Sequence, residues 1–100
     1  MKRLFISQPM KDKTKEEILK VRNEIINTVK DLENDEIEVI DSVLDISGNE
    51  NPMWYLGKAI QLLSTADIVY FAKNWQNYRG CRIEHQCAIE YGIKTVYSEK

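Results

Sequence analysis

The sequence is poor in the residues that build metal and disulfide sites. It has one histidine and two cysteines in 100 residues. Cys81 and Cys87 stand six apart, a spacing that fits neither a CxxC pair nor two ligands on one helix face. With no second histidine or third cysteine to complete a set, neither a metal site nor a disulfide framework is expected, and no cofactor is implied. Basic excess is missing too. The formal net charge is -2 and no Lys or Arg run stands apart from neighbouring acids, which argues against a nucleic-acid partner. No apolar stretch reaches the length of a membrane span, and the opening MKRLFISQPM has no signal-peptide core, so no membrane partner and a cytoplasmic location are expected. Internal repeats, linkers and low-complexity tracts are also absent.

What remains is the composition of one globular domain, residues 1–100, with 43% hydrophobic and 30% charged residues. Short apolar runs alternate with helical patterns. Arg3 to Ser7 reads as a buried strand ended by Gln8-Pro9. Ile18, Val21, Ile25, Val29 and Leu32 recur at helical spacing, behind a capping box formed by Thr14 and Glu17. Ile37 to Asp41 reads as a second strand and Ser42 to Glu50 as a polar loop. Asn51-Pro52 is an N-cap followed by proline at the first helical position, and Met53, Leu56, Ile60 and Leu63 give the second helix a core face. Asp67 to Ala72 is a third strand. A third helix, Gly80 to Tyr91, is stopped by Gly92, and Ile93 to Tyr97 closes the chain as a fourth strand.

This alternation predicts an α/β domain, a Rossmann-like or flavodoxin-like three-layer sandwich around a four-stranded parallel sheet of order 2-1-3-4. Winding reverses between the first and third strands. Ligands in such sheets bind at that switch point, outside the carboxyl ends of the strands. Two segments flank it: Ser7-Gln8-Pro9-Met10, and Lys73 to Gly80.

Glu84 is the most informative residue. At about 100° per residue, it falls inside an apolar arc of the third helix made by Ile83, Cys87, Tyr91, Ala88 and Cys81. A carboxylate there is either paired structurally or lines a pocket, because an unpaired buried charge costs several kcal/mol. Burial raises its pKa and the nearby helix start lowers it. Arg22 is the same anomaly on the first helix, and reads as a buried partner for Asp41 or Glu84 rather than as an anion contact. Arg79-Gly80-Cys81 opens the third helix, where backbone N–H groups suit a phosphate or carboxylate, and an ordinary helix start fits equally. Trp75 and Tyr78 could stack on a flat ring, or Trp75 could close the edge of the core. His85 points outward on the wheel and reads as a surface residue. Asp67 reads as structural, and the acid-rich Asp31 to Glu38 as a solvated helix end.

Several segments together carry a resemblance: Phe5-Ile6-Ser7-Gln8-Pro9-Met10, Tyr55 to Ile60, Ala66 to Ala72 with Trp75, and Arg79 to His85 with Ala88 and Tyr91-Gly92. Across nearly its whole length the chain resembles the nucleoside 2-deoxyribosyltransferase-like domains, including a small branch common in phage and prophage genomes. The resemblance implies cleavage or transfer of an N-glycosidic bond, with Glu84 as the nucleophile toward C1′ of the sugar. It implies that a nucleoside or nucleotide lies against Ser7, Gln8, Pro9, Met10, Asn74, Trp75, Tyr78, Arg79, Gly80 and Cys81, with a 5′-phosphate on Tyr78, Arg79 and Gly80. The helper groups differ. Asn74 and Tyr78 stand where the resembling transferases carry aspartates, and Ser7-Gln8 stand where a tyrosine or acid often follows the first strand. The alternative is therefore a module that binds a nucleotide without cleaving it.

The second helix predicts self-association. Met53, Ala59, Ile60 and Leu63 lie within about 60° of Leu56 on its wheel, leaving Trp54 and Leu62 outside the stripe. Surplus apolar surface of this kind marks an interface. The resemblance adds that neighbouring subunits complete each other's pockets. A homodimer through this helix, or a higher homo-oligomer, is expected.

Overall fold

Local chemistry fixes where the helices begin. Thr14 Oγ1 accepts from the Glu17 N–H at 3.1 Å while the Glu17 carboxylate accepts from the Thr14 N–H at 2.9 Å, a closed capping box that starts helix α1, Lys15–Glu33. Asn51 Oδ1 accepts from the Trp54 N–H at 2.9 Å, and Pro52 follows as the first residue of α2, Pro52–Leu63. Gly92 adopts φ +72° after α3, Arg79–Glu90, a left-handed stop that a side chain would strain. The structure is a computed structural model and describes residues 1–34, 36–42 and 50–98. Most of the expected polar loop between Ser42 and Glu50 lies outside the described residues.

The strands are β1 (Lys2–Ser7), β2 (Ile37–Val39), β3 (Ile68–Phe71) and β4 (Lys94–Tyr97). All pair in parallel, in the order β2-β1-β3-β4, which is the α/β, Rossmann- or flavodoxin-like arrangement read from the alternation. Elements end within one or two residues of expectation. β2 stops before Ile40, although the Ile40 N–H still donates to Leu4 O at 2.8 Å.

The two central strands are buried on both faces, so successive residues enter different cores. Leu4, Ile6, Ile68 and Tyr70 pack with Ile25 and Val29 beneath α1. Phe5, Val69 and Phe71 pack with Ala59, Leu63 and Ala88 beneath α2 and α3. Burying a side chain such as Leu63 contributes about 1.5–3 kcal/mol.

The helix wheels need correction at their margins. Met53, expected in the core, is 77% exposed; α2 turns its Tyr55, Leu56, Ala59 and Leu63 side inward instead. Val21 and Leu32 are exposed on α1, as are Ile83 on α3 and Tyr91 at its C-cap. The buried arc of α3 is rotated toward Cys81, Ala88 and His85, because β3 and β4 present Phe71 and Tyr97 to that side. Among the described residues, no helix is long and apolar enough to cross a membrane.

Candidate functional site

β1 and β3 stay paired to Ser7 and Phe71, and beyond them the chain leaves toward opposite faces of the sheet, to α1 after β1 and to α3 after β3. A cleft of about 830 Å³ opens there on the α2 and α3 side, within the range of small-molecule sites. After β1 its wall is Gln8, Pro9, Met10, Lys11 and Asp12; after β3 it is Asn74, Asn77 and Tyr78; the first turns of α3 add Arg79, Gly80, Cys81 and Glu84. Tyr55, Leu56 and Ala59 close it from α2.

Glu84 sits at the base of this cleft, 8% exposed. Its Oε1 accepts a 2.6 Å hydrogen bond from Ser7 Oγ, the last residue of β1. Burial pushes the carboxyl up to about 7, and the Ser7 hydroxyl offsets part of that rise. No cation pairs with it among the described residues. Arg22, one expected partner, donates instead to the Ile40 carbonyl and to Ser42 Oγ. Burial lowers the Arg22 pKa and the charge of Asp41 opposes that shift, so of the two carboxylates considered, Asp41 is the one that acts on it.

The start of α3 is open toward the same space. Tyr78 occupies the N-cap with extended dihedrals and gives no side-chain hydrogen bond to the first turn, so the N–H groups of that turn have no side-chain acceptor from the cap. A Cβ on Gly80 would meet nothing nearer than Leu56 Cδ1 at 4.0 Å. Neither backbone strain nor packing demands glycine there, and its absence of side chain leaves the turn bare toward the cleft. Among the described residues, Lys11 and Arg79 form no ion pair. Asn74 holds a left-handed conformation, φ 69°, which asparagine tolerates better than most residues.

Residues 2–97 match the family described as Domain of unknown function (DUF4406). The chain belongs to that family. No curated protein and no solved structure matches it.

The remaining expected residues of this DUF4406 domain divide three ways. Gln8 is 6% exposed and donates from Nε2 to the Ile18 carbonyl at 3.0 Å, which fixes the orientation of its amide; Oε1 is buried with no hydrogen-bond partner among the described residues. Gln8, Pro9, Asn74 and Tyr78 separate the cleft from a smaller pocket of about 220 Å³ on the α1 side. Ser7 is 1% exposed and reaches the cleft through Glu84 rather than as a wall. Trp75 does not line the cleft. It stands at the edge of the core, its ring 4.4 Å from His85 and 5.0 Å from Phe71, so the core-edge reading replaces the stacking one. His85 is half-buried in that cluster, 2.7 Å from the Tyr97 hydroxyl, and is not the outward surface residue the wheel suggested.

Cys81 lines the cleft but is a poor nucleophile. Burial pushes its thiol up to about 11, a hydrogen bond with Ser7 works against that, and the charge of Glu84 adds to it. Sequence reasoning missed Lys11, Asp12 and Arg82 as wall residues. The first two directly follow the Ser7-to-Met10 segment, so extending the flank by two positions would have found them. Leu56 had been assigned to the core of α2 and Tyr55 had been given no role of its own, and no local signal distinguishes a core wall from a cleft wall.

Proposed function

We propose that the cleft takes a nucleoside or nucleotide and that Glu84 attacks its glycosidic carbon. The observation that carries this reading is a buried carboxylate, paired with no cation among the described residues, at the base of a cleft at the sheet's switch point. A structural glutamate in such surroundings ordinarily has a cation beside it. The resemblance to nucleoside 2-deoxyribosyltransferase-like domains supports the same role.

In the ionised state, a Glu84 oxygen forms a bond to C1′ of the sugar as the C1′–N bond breaks. The departing base takes the bonding pair and then a proton from water. Attack by water on C1′ of the glycosyl ester then returns the Glu84 carboxylate and gives the free sugar; attack by a second base gives transfer instead. Two displacements leave the anomeric configuration unchanged. Ser7 holds the carboxylate in place, and the open first turn of α3, with Arg79 and Lys11, suits a 5′-phosphate. Because the nucleophile must be ionised, the rate rises as pH passes through about 7 and then levels.

Chromatography of common deoxynucleosides and their 5′-monophosphates after incubation with the protein tests this. The expected result is release of free base that Glu84→Gln reduces by about a thousandfold or more. Release that Glu84→Gln leaves unchanged overturns the assignment. A second reading, binding without cleavage, is favoured by Asn74 and Tyr78 standing where acids would assist the leaving base. It predicts thermal stabilisation by nucleotides without base release, about 2.7 kcal/mol at a hundredfold excess over Kd.

A further inference from the structure

We infer that His85 is a positioning residue: it locks the rotation of α3 against β3, β4 and the turn at Trp75, and so sets where the Glu84 carboxylate stands in the cleft. His85 is the one histidine of the chain and the one ring-bearing side chain of α3. The chemistry proposed for the cleft gives it no part, yet it stands immediately after Glu84. The buried stripe of α3 is Cys81, Glu84 and Ala88. Cys81 and Ala88 are small, and small side chains give a helix little grip against rolling on a sheet.

His85 supplies that grip from three elements at once. Its ring lies 4.4 Å from Trp75 and 5.0 Å from Phe71, which it meets edge-on. Its Nε2 shares a 2.7 Å hydrogen bond with the Tyr97 hydroxyl. Phe71 ends β3, Tyr97 ends β4, and Trp75 opens the 3-10 turn Trp75–Asn77. Another ring at position 85 would fill the same space, but only a hydrogen-bonding side chain meets the hydroxyl and fixes the tilt. The turn is also tied to α3 by Arg82, whose Nη1 donates to the Gln76 carbonyl at 2.9 Å. Asn74, Asn77 and Tyr78 of the cleft wall are therefore held to the helix that carries Glu84. On the other side, Glu84 reaches Ser7 at the end of β1 at 2.6 Å. Two adjacent residues thus brace α3 on different strands. A roll of the helix by about 15° moves the carboxylate by roughly 1 Å, and a misplacement of ~1 Å at a reacting centre can cost ~100-fold in rate.

His85→Phe keeps a ring, and Tyr97→Phe keeps the stack on Phe71 at 5.6 Å; each removes the hydrogen bond. Both are tested beside the double variant and His85→Gln, and thermal melts show that each is folded. Carbon-13 NMR titration of the Glu84 carboxyl needs no substrate and makes no assumption about the reaction. A loosened α3 lets water reach Glu84, so both single variants are expected to move its pKa down from about 7 toward 4.5. His85→Gln, which keeps a side-chain nitrogen to meet the hydroxyl, is expected to leave it in place. Tyr97→Phe retains the imidazole, so its shift is not a lost charge. The kinetic arm rests on the reading of Glu84 as nucleophile. Each single variant is expected to lower kcat for base release by about tenfold or more with KM unchanged, and the double variant to go no lower, because both changes break one bond. A Glu84 titration that neither single variant moves overturns the inference, whatever the melts show. So do kcat losses that multiply in the double variant. A wild type that releases no base counts against the proposed reaction, and the titration then decides this inference by itself.

Discussion

The two edges of the sheet handle their glutamates in opposite ways. At the amino edge, Glu33 receives Lys2 Nζ and Lys94 Nζ, each at 2.8 Å, and its side chain is 8% exposed. Arg3 Nε binds Glu38 at 2.9 Å and the Arg3 N–H donates to Asp67 at 2.8 Å, which confirms Asp67 as structural. At the carboxyl edge Glu84 is more deeply buried, yet its partner is a hydroxyl. The consequence is a split in acidity. Hydrogen bonds from the two lysines hold Glu33 below its usual value, whereas burial raises Glu84 to about 7. One edge uses its carboxylate to tie β1, α1 and β4 together; the other keeps a carboxylate available beside open space. The ion-paired carboxylate and the one that lines the cleft thus lie at opposite ends of the same sheet.

The largest test of that contrast is the pH dependence of stability in Glu84→Gln. The folded pKa of Glu84 is raised from 4.5 to about 7. Its contribution is therefore fully present below pH 4.5 and lost as pH rises through 7. Above that range the ionised form destabilises the wild type by roughly 3 kcal/mol. Urea denaturation is expected to find Glu84→Gln the more stable protein at pH 9, with the gap closing toward pH 4.5. Parallel curves across that range would break the comparison.

Arg22→Met comes next. It removes the donor to the Ile40 carbonyl, leaving a buried acceptor unpaired, and is expected to lower stability by about 1–3 kcal/mol. A smaller shift is expected from Ser7→Ala, about 1 kcal/mol, and it has a sharper signature. Losing the hydroxyl removes what offsets burial, so the alkaline fall in stability moves to higher pH. A fall that moves to lower pH would show that Ser7 does not hold the ionised carboxylate. The smallest effect belongs to Glu33→Gln at the amino edge. Glu33 stabilises above its unfolded pKa, and that contribution is lost as pH falls through its lowered folded value. The variant is expected to be slightly less stable at neutral pH, with the difference fading in acid and in high salt.

The strand order was legible because alternating β and α patterns with right-handed crossovers leave few sheets, and the switch point followed from that order. Glu84 was legible because a charge on an apolar helix arc is an anomaly visible without coordinates. The neighbours of that arc were not. Anchoring the wheel on Ile83 turned it away from β3 and β4, which misplaced His85 and Tyr91. Whether Trp75 faced ligand or core depended on Phe71 and His85, residues from other elements. Arg22 was rightly read as buried, but its partner was chosen by tertiary geometry that no spacing encodes. Met53 erred for a similar reason: an apolar stripe wide enough for two faces does not say which one the sheet takes.

The account rests on two glutamates, one half-buried among lysines and one buried beside a hydroxyl, that titrate apart. Carbon-13 NMR titration of glutamate side-chain carboxyls, assigned by Glu84→Gln and Glu33→Gln, reads both in one experiment. Glu84 is expected to titrate near pH 7, with Glu33 below 4.5 in the same spectra. If Glu84 instead titrates at or below the ordinary glutamate value of about 4.3, a cation or further donors must hold it, and the carboxyl edge is a structural anchor like the amino edge.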